Sequence, residues 1–404
     1  MRNQLIWLII WPLVISCDNP FNVTPTDEDQ LFQLHLSHSI KRIVTTGKVT
    51  LKWSEIIVEG FSKYIIERRK LGAVDWNTIK EEKLRITTKY VDTITDDEDL
   101  EYRVGISDSL GNIRWAEEMI SIPRTRQLYV PAERSKIRDA LYDPLIDVGD
   151  TIWVAPGVYY GNIIMLERNV VLISVAGAEK TVLLADSLNP RSVIMMNMGV
   201  VDGFTISEGD NRLAGGGIVL KGTGTVRRCR IVGNISSSNG GGVSMTDNSV
   251  LLNCVIYDNF ALNGDNLFIY NAHGKVINNT ITYVNKDGSS SNLYFMKDNP
   301  DLVMLNNIFY RPDSNSNLRL GDPTAMNGVY LDYSLVSPSL KGTNQNGIDN
   351  QIPMFAGYID TSETFDFHLQ LTSPGINAGS PDTEYNNVDG SRNTMGAYGG
   401  PYGD

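Results

Sequence analysis

The 404-residue sequence is poor in cysteine and histidine and short of basic charge. Its three cysteines, Cys17, Cys229 and Cys254, are too few and too scattered for a disulfide framework, so a packed core must hold the fold. The four histidines show no zinc-ligand spacing. Thirty-five Lys and Arg against 47 Asp and Glu give a net charge of −12. That balance argues against a nucleic-acid partner, which rewards clustered basic residues. It also gives no general grip on an acidic polysaccharide, so such binding needs a local basic patch. No Ser-His-Asp set and no phosphate loop occurs. What is present is ordinary for globular protein: 42% hydrophobic and 20% charged residues. The length exceeds one ordinary core and predicts several domains.

No apolar run is long enough to span a bilayer. Leu5 to Ile15, interrupted by Pro12 and preceded by Arg2, has the length of a signal-peptide core. It ends in Val14-Ile15-Ser16-Cys17, which resembles the lipobox of bacterial lipoproteins. The resemblance implies removal of residues 1–16, lipid attachment at Cys17 and an exported protein held at a membrane surface of the cell envelope. Residues 17–36, rich in Asp, Asn, Pro and Thr near their start, read as a flexible tether.

From 37 to 123 the pattern is one of short alternating strands. Val49-Thr50-Leu51-Lys52-Trp53, Tyr64-Ile65-Ile66-Glu67-Arg68 and Leu100-Glu101-Tyr102-Arg103-Val104 each alternate with period two. Such strands over roughly ninety residues predict a β-sandwich. The segment resembles a fibronectin type III domain, with Trp53 and Tyr102 at the family's core aromatic positions. The resemblance implies a spacer or adhesion module in which both aromatics pack.

The remainder is dominated by a repeat. Ile206, Ile231, Ile256 and Ile281 end similar phrases 25 residues apart, and Gly215-Gly216-Gly217 recurs 25 residues later as Gly240-Gly241-Gly242. Leu305-Asn306-Asn307-Ile308-Phe309 follows at an offset of 28, which predicts a three-residue loop insertion. One period in two series signals a solenoid. The runs are short, β-rich and broken by Gly and Asn, with no helix between them. The expected fold class is therefore all-β: a right-handed parallel β-helix behind the sandwich. Seven or eight coils between Thr151 and Val336 give a rod roughly 35 Å long. The four isoleucines are expected to form one inward ladder, and Phe204, Cys229, Cys254 and Asn279 its neighbour. Asn234 and Asn259 should stack at a bend, and the glycine triplets should mark a corner. Cys229 and Cys254 fall one coil apart, as a packed thiol pair or a disulfide.

Open solenoid ends need caps. Ile137, Ala140, Leu141 and Leu145 have helical spacing within 135–145, and Gly149-Asp150-Thr151-Ile152 leads into Val154-Ala155-Pro156-Gly157-Val158-Tyr159. This resembles the entry of the pectate-lyase-like β-helix superfamily, where a short helix plugs the rod. The stretch 127–365 is assigned to the β-helix. Residues 366–404, with Gly375-Ile376-Asn377-Ala378-Gly379 and Gly396-Ala397-Tyr398-Gly399-Gly400, are assigned to its C-terminal cap or tail.

That superfamily contains polysaccharide lyases and glycosidases, which need converging carboxylates or a basic residue with calcium. The sequence shows no complete set. Asp96-Asp97 falls in the sandwich, and His273 reads as a loop histidine. Asp202 and Arg227 share a column and are expected to form an exposed pair. Arg227, Arg228 and Arg230 make the best basic patch and could hold an acidic glycan. Asp202, Arg228, Arg230 and Asp258 are the weak catalytic candidates. Calcium ligands are scattered over Asp202, Asp210, Asp247, Asp258 and Asp265, and Asp389-Gly390 reads as a tight turn. No metal or cofactor is expected, calcium being the alternative. The leading expectation is a non-catalytic surface lipoprotein that binds polysaccharide or another extracellular partner. A lyase or glycoside hydrolase and a structural or adhesive surface element are the alternatives.

Overall fold

A computed structural model describes residues 37–38, 47–53, 55, 60–94, 99–116, 120–122, 126–144, 146–284, 291–312, 318–338, 344–357 and 365–403. The expected leader, Cys17 and the tether lie outside the described residues, as do Asp96, Asp97 and Leu145. No helix among the described residues is long and apolar enough to cross a membrane.

The N-terminal strands form two sheets. One comprises Ser37–His38, Gly47–Lys52 and Lys89–Ile94. The other orders Asn77–Glu82, Phe61–Lys70, Leu100–Asp108 and Ile113–Trp115 in antiparallel pairs. Trp53, which follows the first sheet's middle strand, meets Tyr64 of the second edge-on at 5.4 Å. Trp53, Tyr64 and Tyr102 are buried. These aromatics are packing residues, each removing a large apolar area from water.

From Gln127 onward the chain winds as a parallel β-helix of the right-handed type. Face A stacks nine strands, from Gln127–Val130 through Thr151–Val154, Val171–Ser174, Val200–Asp202, Thr225–Arg227, Val250–Leu252, Lys275–Ile277 and Val303–Leu305 to Tyr330–Asp332. Face B stacks nine, from Gly157–Tyr160 to Ile348–Asp349, and face C seven, from Ile163–Met165 to Leu318–Leu320. The 25-residue lattice is the strand register itself: Ile206 pairs with Ile231, Ile231 with Ile256 and Ile256 with Ile281. All four are fully buried, each contributing about 1.5–3 kcal/mol of apolar burial. The later offset of 28 is distributed over two corners. Leu267 pairs with Leu293, 26 residues on, and Lys275 with Val303, 28 on.

The corners explain the polar repeats. Asn234 donates to Asn259 (2.9 Å), Asn259 to Asn266 (2.9 Å) and Asn266 to Asn292 (2.7 Å), so the stacked amides satisfy one another at a buried bend. The inward column of Phe204, Cys229, Cys254 and Asn279 is buried. Cys254 N–H donates to Asn279 Oδ1 at 2.9 Å. Cys229 and Cys254 are free thiols, and burial pushes the Cys254 thiol well up. Within the triplets, Gly215 and Gly240 take positive φ, whereas a Cβ at Gly216 or Gly241 would meet backbone carbonyls at 2.3–2.4 Å.

At the entry end, the helix is short: Ile137–Leu141, with Ile137, Ala140 and Leu141 buried in the rod's core. Asp150 explains the phrase after it. Fully buried, its carboxylate accepts from the backbone N–H groups of Arg126 and Asp147, both at 2.7 Å. The C-terminal segment packs on face B. It lies along the side of the rod, where Phe355, Phe367, Met395 and Ala397 pack on Tyr257, Ile308, Tyr310 and Leu335 of face B. Face B carries outward apolar residues in these coils, and the segment removes them from water.

Candidate functional site

Two residues join face A to face B in each middle coil, and the first of them takes a left-handed conformation every time. Gly203, Arg228, Asn253, Asn278, Asn306 and Tyr333 have φ of 78°, 50°, 49°, 53°, 59° and 46°. Asn tolerates this region better than other side chains do. Here its amide has a second use. Asn253 donates to the carbonyls of Ala397 (2.9 Å) and Gly399 (2.7 Å). Asn278 donates to those of Thr394 (3.0 Å) and Gly396 (3.2 Å), and Asn306 Oδ1 accepts from Ser380 N–H at 2.7 Å. The asparagines thus seat the C-terminal segment. The approach is close enough that a Cβ at Gly396 would stand 2.7 Å from Ile308, and one at Gly400 2.8 Å from Asn278.

Below Asn253 the corner is open, and a cavity of about 500 Å³ runs along it. Trp153 and Ile173 come from face A, Gly177 to Glu179 and Gly203 from the early corners, and Arg228 and Arg230 from the next coil. His368, Tyr398 and Tyr402 of the C-terminal segment close the other side. His368 stacks on Tyr398 at 3.6 Å and its Nδ1 lies 2.5 Å from Asp366. Burial opposes ionisation of Asp366, but the His368 backbone N–H and ring, with Arg230, outweigh it and hold the carboxyl below its usual value. Burial pushes the Tyr398 hydroxyl up, against the pull of Arg230.

The arginine patch is real but differently built from the sequence expectation. Asp202 is not the partner of an exposed pair: its side chain is 0% exposed. Arg228 grips it with Nε and Nη2, both at 2.7 Å, while Arg227 Nε adds a third bond at 2.8 Å. Two guanidinium groups therefore cover one buried carboxylate, an arrangement that costs several kcal/mol to break from one side. The left-handed φ at Arg228 is what lets residues 227 and 228 converge on the same carboxylate. Arg227 also lies 5.1 Å from the Tyr402 ring centroid. Arg230 faces the cavity, 3.9 Å from the 77%-exposed Glu179.

The four weak catalytic candidates do not form one constellation. Asp202 is enclosed by arginines, and Asp258 sits beyond Tyr257 at the opposite corner of face B, accepting from Val284 N–H at 2.9 Å. The other aspartates are also dispersed. Asp247 accepts from Thr246 Oγ1 (2.7 Å) and Gly222 N–H (3.1 Å), and the His273 N–H is bonded to the Asp247 carbonyl. Buried Asp265 contacts Tyr283, and Asp389 accepts from Ser391 N–H and Oγ within a tight turn. Among the described residues no cluster of three His, Cys, Asp or Glu has metal-binding proximity. Sequence reasoning missed Trp153, Glu179, His368, Tyr398 and Tyr402. Tyr398 lay in a phrase read as a cap or tail, with no signal that it lines a cavity.

No family model matches the chain, and no curated protein does. Among solved structures, a pectin methylesterase in complex with a hexasaccharide is 13% identical over 52% of this chain and 79% of that one, with a TM-score of 0.30. Pectate lyase Pel3 from Pectobacterium carotovorum is 11% identical over 68% and 86%, with a TM-score of 0.20. Pectate lyase PelI from Erwinia chrysanthemi, in complex with tetragalacturonic acid, is 10% identical over 77% and 87%, with a TM-score of 0.18.

Proposed function

We propose that this protein is a non-catalytic surface lipoprotein that binds an acidic polysaccharide in the open corner groove. The observation that carries this reading is the groove's lining: Arg228 and Arg230 stand beside Trp153, Tyr398 and Tyr402. Guanidinium groups form charge-assisted bonds with carboxylates, and aromatic faces suit the apolar faces of sugar rings. Glu179 is the one carboxylate among the described lining residues. Hydrolysis at a glycosidic bond ordinarily uses two flanking carboxyl groups, so the groove is better equipped to hold than to cleave. In this reading Cys17 carries the lipid, and the N-terminal strands form a fibronectin-type spacer module.

The test incubates purified full-length protein with acidic and neutral polysaccharides, with and without calcium. Retention on each polymer is followed together with new reducing ends and the ultraviolet absorbance of unsaturated sugars. Retention on acidic polymers without turnover is the expected result. Unsaturated product would replace this reading by a lyase, and new reducing ends alone by a hydrolase. Neither retention nor turnover would redirect the search to protein partners or a structural role.

A further inference from the structure

The groove does not end at the His368–Tyr398 stack. A second cavity of about 550 Å³ lies beyond it, and the two share His368, Ala397 and Tyr398 in their walls. The chemistry changes across this shared wall. The first cavity carries Arg228, Arg230 and Glu179. The second is lined by Leu369, Leu371, Ile376, Val388 and Met395, with Asp389 as its one charged residue among those described. Asp389 is already committed to Ser391, whose hydroxyl and N–H hold its carboxyl below the usual value. Leu371 and Val388 are 93% and 74% exposed, more apolar side chain than the packing of a turn requires, and both border the cavity.

We infer that the two cavities are adjoining subsites of one path, and that the ligand is a mixed glycan: an anionic sugar beside an uncharged sugar with an apolar face. This inference rests on the polysaccharide reading and adds to it a sequence preference and a minimum length of two sugars. The anionic residue pairs with Arg230. Its uncharged neighbour, a deoxy or O-acylated sugar, passes the aromatic stack and lies on Val388 and Leu371. A second anionic sugar in that position would face Asp389 and lose its water against leucine and valine, which is unfavourable on both counts.

The test is calorimetric titration of the full chain with three probes: a free uronic acid, a homo-oligouronide, and an oligomer of equal length alternating uronic acid with an acylated neutral sugar. The alternating oligomer is expected to bind at least tenfold tighter than the homo-oligouronide. Val388→Asp, a surface change that spares the core, should weaken the alternating oligomer and shrink that difference, while the free uronic acid, which needs only the first cavity, binds as before. Equal affinity for the two oligomers, or an unchanged preference in Val388→Asp, would overturn the inference while the acidic-glycan reading stands. Binding of none of the three would sink both.

Discussion

Two stretches of the same corner column have opposite fates. From Asn253 to Asn306 the column is covered, its side chains bonded to the C-terminal segment. From Gly177 to Arg228 it is open and lines a cavity. At Gly203 and Arg228 the backbone makes the same two-residue, left-handed turn as at the asparagines. The side chain decides. An asparagine there offers an outward amide that satisfies a neighbouring chain's carbonyls. A glycine offers nothing and leaves a hollow, and the arginine turns back onto a buried aspartate. A solenoid can thus repeat one backbone turn and still divide it into a seat and a site.

The most severe way to break this contrast is to strip Asp202 of its partners. Arg227→Ala with Arg228→Ala leaves a buried carboxylate uncompensated and is expected to destabilise the rod by about 3–5 kcal/mol in urea unfolding. The next perturbation acts on the covered stretch. Asn278→Ala loses both the left-handed tolerance and the amide bonds, for about 2–3 kcal/mol, whereas Asn278→Gly keeps the conformation and loses about 1–2 kcal/mol. Equal losses for the two variants would show that the amide bonds alone matter. A milder change sharpens the comparison from the other side. Gly203→Asn extends the asparagine column into the open stretch, where the nearest atoms to an added Cβ stand 3.6 Å away. Stability should shift by less than about 1 kcal/mol, while glycan retention should fall because the hollow is filled.

The smallest expected effect is one of pH. The folded pKa of Asp366 is lowered by His368 and Arg230 against the cost of burial. Its contribution is therefore complete above the unfolded value of about 3.9 and is lost as pH falls below it, through the still lower folded value. The stability difference between wild type and Asp366→Asn, read by urea unfolding, should be steady from neutral pH to about pH 5. It should change only in acid below about 4. A difference that disappears already near neutrality would contradict a lowered Asp366.

Much of the rod was legible because its register is its sequence period: Ile206, Ile231, Ile256 and Ile281 are read directly as one column. The inward asparagines were legible for the same reason. The groove was not, because its walls come from segments far apart in the chain. Trp153 and Tyr398 are separated by most of the rod, and no periodicity links them. The Asp202 pairing was half legible. The lattice placed Arg227 beside it, but only the left-handed turn at residue 228 brings the second guanidinium round and closes the carboxylate off from water. The C-terminal phrase was recognised as the rod's terminal segment, but its seat was not legible, since its glycines signal close approach without saying to which surface.

The most direct test of the groove's role compares wild type with Arg230→Gln for affinity to an acidic oligosaccharide at two salt concentrations. Arg230 faces the cavity without holding Asp202, so the substitution leaves the buried cluster intact. Loss of a charge-assisted bond worth about 1.5–3 kcal/mol corresponds to roughly 10- to 100-fold weaker binding, with a shallower salt dependence and a cooperative unfolding transition retained. Undiminished affinity in a folded Arg230→Gln protein would contradict the account and place acidic-glycan binding elsewhere on the chain.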